Sequence, residues 1–141
     1  MPSEISQRYI SDMLDSCNFD SHIDKDCDLL VILDADSDFA YQVQVYYTVE
    51  DNKWLRVWGI APKFDSHCNN KQKVLEAVNT CNRDQKVVKA YLYSNSNVNR
   101  IICERYELID EYVADDFIKN NCIKMNTGLI WRAFVAIGKS L

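Results

Sequence analysis

The sequence predicts an α+β fold: an antiparallel sheet of about five strands with helices packed on it, in the order α-β-β-β-α-β-β-α. Three observations carry that prediction. Apolar side chains alternate along Tyr41–Val49, the period-two signature of a strand with one buried face. Along 5–17, 74–81 and 113–134 they recur every three or four residues, as the stripe of a helix does. All strand connections but one are short enough to be turns, and turns join antiparallel neighbours.

Taken in order, Ser3 is placed to cap a helix over Glu4–Cys17 whose apolar side is Ile5, Tyr9, Ile10, Met13 and Cys17. Residues 18–28 are polar and acidic and read as a connector. Leu29–Leu33 is an apolar run of strand length, and Asp34, Asp36, Ser37 and Asp38 are turn formers that close it into a hairpin. In the next strand Tyr41, Val43, Val45, Tyr47 and Val49 face one way and Gln42, Gln44, Tyr46 and Thr48 the other. Residues 50–53 turn the chain into a third strand, Trp54–Ile60, ended by Pro62. Asn69 or Asn70 caps a second helix with Val74, Leu75, Val78 and Cys81 inward. Asn79 and Asn82 near its end are suited to bond frayed carbonyls or the following strand. Val87–Tyr93 and Val98–Ile109 form a hairpin across Asn95, Ser96 and Asn97. A long C-terminal helix follows through Val113, Phe117, Ile118, Cys122, Met125, Leu129, Trp131 and Phe134, with Gly128 a weak or close-packing point inside it.

A chain of 141 residues is of single-domain size, so one domain over 1–141 is expected. Sixteen Lys and Arg against 21 Asp and Glu give a formal charge of −5. An acidic chain without a basic run has little general affinity for phosphate backbones or anionic lipid, which argues against nucleic acid and membrane as partners. No apolar stretch reaches the roughly 20 residues of a membrane span, and MPSEISQRYI lacks the charged and apolar regions of a signal peptide. A cytoplasmic location is expected. The six cysteines are scattered with no C-x-x-C pair, which reads as six reduced thiols.

Two groups of reactive side chains invite a chemical reading. LLVILDADSDF resembles the first motif of haloacid-dehalogenase phosphatases, where one carboxylate attacks phosphorus and the other protonates the leaving group; Asp34 and Asp36 would take those roles. Such enzymes need a parallel sheet, whereas here a strand follows within a few residues, and the expected Thr is absent. An acidic hairpin turn is the commoner meaning. As a calcium loop the same stretch fails, with Phe39 where Gly is needed and Val45 where Glu is needed. His22, Cys27, His67 and Cys68 match no usual zinc spacing, and adjacent His67 and Cys68 are poorly placed to act as a nucleophilic pair. No catalytic residue, metal or cofactor is expected.

The stretch LEAVNTCNRDQKVVKAYLY carries a family resemblance. A helix ending in Asn79 and Asn82, then a strand reading basic, small, aromatic, aliphatic (Lys89, Ala90, Tyr91, Leu92), resembles the YbjN-like domains, bacterial sensory transduction regulators whose fold is that of type III secretion chaperones. The likeness covers about residues 28–135. It departs where the family often carries Gly in the second hairpin turn and before the last helix; here stand Ser94–Asn97 and Asp110–Glu111. The resemblance implies a non-enzymatic, protein-binding or regulatory module, a homodimer or a binder of another protein. A secretion-type chaperone holding an extended client segment is the alternative.

Two places in the sequence are candidate protein interfaces. Trp54, Arg56 and Trp58 share one face of their strand and Leu55 and Val57 the other. Aromatics carry most buried area, which favours the tryptophans for the core; the opposite orientation exposes them and marks an interface. In the C-terminal helix Phe117, Ile118, Cys122 and Met125 form one apolar side, while Ile123, Ile130 and Phe134 extend round the helix. A helix apolar over so much of its circumference has a second surface to bury, and a homodimer through Ile123, Ile130 and Phe134 is expected.

Overall fold

The computed structural model describes residues 6–95, 98–110 and 112–141. The expected cap Ser3, the turn residues Ser96 and Asn97, and Glu111 lie outside them. Helix α1 (Gln7–Ser16) starts instead at Ser6, whose hydroxyl accepts the Tyr9 N–H, and it buries Ile10 and Leu14.

Six strands follow: β1 (Ser21–Ile23), β2 (Leu29–Leu33), β3 (Val43–Glu50), β4 (Trp54–Ile60), β5 (Lys89–Ser94) and β6 (Asn99–Leu108). They form one sheet in the order β1-β2-β3-β4-β6-β5, every neighbour antiparallel. The fold class is as the sequence predicts, and the strand count is one higher. The extra strand, β1, sits in the acidic stretch expected to be a connector; its three residues pair with β2 alone, at the sheet's edge.

A short 3-10 segment (Pro62–Cys68) leads into α2 (Lys71–Asp84), capped by the Asn70 side chain on Lys73 N–H. Its buried residues are Val74, Ala77, Val78 and Cys81; Leu75, expected inward, is 46% exposed. The C-terminal helix has α geometry over α3 (Asp115–Phe117), π geometry over Ile118–Met125 and α geometry again over α4 (Asn126–Ser140).

One main core holds the molecule together. Helix residues Ile10, Leu14, Val78, Ile118, Ile123, Ile130, Phe134 and Ile137 meet Val43, Val45, Tyr47, Leu55, Val57, Ile101 and Cys103 of the sheet. All these strand residues are odd-numbered, so the helices cover one face. The close approach is made at Gly59, not at Gly128. A Cβ on Gly59 would stand 2.6 Å from Ile130 Cγ2, whereas one on Gly128 would meet nothing within 4 Å. α4 can cross the centre of the sheet because β4 has no side chain there.

Candidate interaction surface

The even-numbered residues of β2, β3, β4 and β6 and the odd-numbered ones of β5 form the other face, which no helix of the described residues covers. Its centre is a second, smaller cluster of Leu30, Tyr46, Ile60 and Ile102, with Trp58 and Tyr91 against it. Registry places Leu30, Tyr46, Trp58, Glu104 and Lys89 in one row across five strands. Tyr46 and Trp58 stack with centroids 4.4 Å apart, and the Arg56 guanidinium lies 4.6 Å over the Trp58 ring. The Trp58 indole N–H donates to the Thr48 hydroxyl at 3.2 Å.

Arg56 is the hub of a polar network. Its Nε donates to Glu104 Oε2 at 2.7 Å, and a second guanidinium nitrogen donates to the Tyr91 hydroxyl at 3.0 Å. Tyr91 in turn donates to the same Glu104 oxygen at 3.3 Å. Burial opposes the Arg56 charge, but the hydrogen bond and charge of Glu104 outweigh it and raise the Arg56 pKa. Burial, then the nearby Glu104 carboxylate, likewise raises the Tyr91 pKa. The charges of Arg56 and Glu104 thus neutralise one another within the face. What the centre of the face offers to a partner is mainly aromatic and aliphatic.

Beside that centre lies an apolar strip. Trp54 is 37% exposed, Tyr106 45% and Leu108 44%, and Trp54 stands directly opposite Leu108 in the β4–β6 register. Glu50, Asp51, Trp54 and Tyr106 line a groove of about 410 Å³.

The structure divides the expected interface residues into two groups. Trp54 and Trp58 lie on the helix-free face, so the core reading of the tryptophans is corrected. Ile123, Ile130 and Phe134 are each 0% exposed; they are core, and the expected outer stripe of the C-terminal helix faces the sheet. Among the described residues the large apolar side chains left outward on that helix are Phe117 and Met125. Tyr106 and Leu108 were not singled out in the sequence, though both continue the even-numbered row of the second hairpin.

The other singled-out residues are placed as follows. Asp36 accepts the N–H groups of Asp38 and Phe39, and Asp34 accepts the Gln42 side-chain amide, both within an antiparallel hairpin. His22 sits on edge strand β1, and Cys27 in the turn that follows it. His67 Nε2 is 2.5 Å from the Tyr41 hydroxyl, while the neighbouring Cys68 points inward and burial pushes its thiol pKa up. His67 and Cys68 therefore do not meet. All six thiols are unpaired. Among the described residues no group of three or more His, Cys, Asp or Glu is gathered as metal ligands would be.

Helix-covered sheet and open sheet together define a class of small α+β protein already known from solved structures. The fold matches the crystal structure of YbjN from E. coli, described as "a putative transcription regulator", with a TM-score of 0.68 over 96% of this chain and 92% of that one at 11% identity. It also matches an uncharacterised protein from Methanothermobacter thermautotrophicus, with a TM-score of 0.53 over 96% and 95% at 13% identity. The chain belongs to the YbjN family, whose model, described as "Putative bacterial sensory transduction regulator", matches residues 8–116. The match begins in α1 and ends in α3, earlier at both ends than the span over which the sequence shows the resemblance. No curated protein matches the sequence.

Proposed function

We propose that the chain is a non-catalytic regulatory module of the cytoplasm that works as a homodimer, two copies meeting through their helix-free sheet faces. The observation that carries this reading is the exposed strip of Trp54, Tyr106 and Leu108 beside an internally neutralised polar centre. Such a face has apolar area to bury and little unpaired charge to desolvate. Six strands about 4.8 Å apart and averaging about 22 Å in length give a face of roughly 630 Å². Two such faces bury about 1,300 Å², within the range of specific interfaces. The family description, a regulator, supports the regulatory part. No helix of the described residues is long and apolar enough to cross a membrane.

Light scattering tests the reading: a dimer mass is expected at tens of micromolar, and a monomer mass would overturn it. A secretion-type chaperone would instead form a stable complex with an unfolded polypeptide. Mg²⁺-dependent hydrolysis of a generic phosphate ester, lost in Asp34→Asn with the fold intact, would replace both readings by an enzymatic one.

A further inference from the structure

β5 is the last strand of the sheet, with β6 on one side only. Asn82 reaches it from α2 and treats Ala90 as a neighbouring strand would. The amide Nδ2 donates to the Ala90 carbonyl at 2.8 Å, and Oδ1 accepts the Ala90 N–H at 2.7 Å. Ala90 therefore turns both backbone groups away from β6. Antiparallel ladders alternate, so the N–H and C=O of Leu92 and Ser94 also point outward, while those of Tyr91 and Tyr93 point to β6. The 3.0 Å bond from Asn95 N–H to the Val98 carbonyl keeps the same parity. Among the described residues no side chain covers Leu92 as Asn82 covers Ala90.

α2 runs along this edge. One and two turns back from Asn82, Asn79 and Leu75 continue the same stripe. Seven helical residues rise about 10.5 Å and four strand residues about 13 Å, so Leu75 lies near the level of Ser94. Exposed Leu75 thereby flanks the open edge of β5 from the helix side, while Tyr91 and Tyr93 lie on the strand's other face. The segment that carries this edge is basic. Residues 71–95 carry five Lys or Arg and two Asp or Glu, in a chain of net charge −5, whereas residues 1–52 carry twelve Asp or Glu and two Lys or Arg. Lys86 and Lys89 stand at the near end and Lys71 at the far end. A second copy presenting its own β5 would bring like charge to like.

We propose that this edge takes an extended, acidic segment of a partner protein as an added strand, bonded to Leu92 and Ser94 and flanked by Leu75. The inference rests on the reading of the chain as a regulatory module; it uses the β5 edge, which borders the dimer face along Lys89, Tyr91 and Tyr93. The probe is a fluorescein-labelled decapeptide of alternating Glu and Val, titrated against the full chain by anisotropy. Its comparisons are the Lys–Val counterpart and the Glu–Val peptide N-methylated at every second residue. The acidic peptide is expected to bind about tenfold tighter than the basic one, to weaken about tenfold in Lys71→Glu/Lys86→Glu, and to stop binding when N-methylated. Amide exchange at Leu92 and Ser94 should slow on binding, with Tyr91 and Tyr93 unchanged. Equal affinity for both peptides, no binding of either, or binding that survives N-methylation overturns the proposal. So does slowing of Leu92 and Ser94 with protein concentration alone, which would assign the edge to a second copy. The dimer mass is read separately, so a failure here leaves the dimer reading standing.

Discussion

The same six strands present two faces with opposite chemistry. On the covered face Val43, Val45, Leu55, Val57 and Ile101 are aliphatic and at most 2% exposed, and the helices dehydrate them. On the open face β3, β4 and β6 bring aromatics and charges that dehydrate one another: Tyr46 on Trp58, Arg56 over Trp58 and against Glu104. Covering by helices permits a core of pure shape complementarity. A face without helices has to be self-sufficient in water and still keep apolar area for a partner. Stability is therefore expected to reside mainly on one side of the sheet, and recognition on the other.

Substitutions that treat the two sides differently test that division. The largest effect is expected from Ile130→Glu, which buries an unpaired carboxylate under α4 at a cost of several kcal/mol; circular dichroism should show an unfolded chain, whereas Trp54→Glu should stay folded. Gly59→Val comes next. Its Cβ would stand 2.6 Å from a stiff, branched side chain, so α4 must shift, costing about 1–3 kcal/mol in urea unfolding. Glu104→Ala strands the Arg56 charge on the open face and should cost about 1–3 kcal/mol. The smallest effect concerns Cys122 on the buried side of the π segment, whose thiol pKa burial pushes up to about 12. Cys122 should resist iodoacetamide at pH 8 while exposed Cys27 reacts. Because the folded-state value is raised, this thiol's contribution is complete below the unfolded value near 9 and declines as pH rises from there toward 12. Urea midpoints should fall over that window less in Cys122→Ala than in the wild type.

Much of this division was legible in the sequence. The period-two pattern of β3 and the turns around it fixed an antiparallel sheet, and Asn82 bonds the following strand as its position suggested. Which face of β4 is buried was not legible, because it depends on one residue. Glu50 pairs with Trp54 across Asp51, Asn52 and Lys53, with Asp51 and Asn52 at φ 54 and 56. That register sets Leu55 opposite Val49, on the helix side. A loop one residue shorter would have turned Trp54 and Trp58 inward, since a single slip exchanges the faces of a whole strand. The C-terminal helix was misphased for a similar reason. Steps of three and four assume α geometry, but the π segment steps five from Ile118 to Ile123, and what reads as an outer stripe becomes the buried one. β1 escaped notice because Ser21–Ile23 is too short for periodicity to show, and only pairing with β2 makes it a strand.

The central claim, that the helix-free face joins two copies while the helix-covered face makes the fold, is tested most directly by sedimentation equilibrium of Trp54→Ser/Tyr106→Ser beside the wild type. Both side chains are partly exposed and bear on no buried contact of the main core. The account predicts a wild-type dimer and a variant monomer whose urea midpoint is that of a folded chain. A wild type that sediments as a monomer at tens of micromolar, or a variant that remains a dimer, would contradict it.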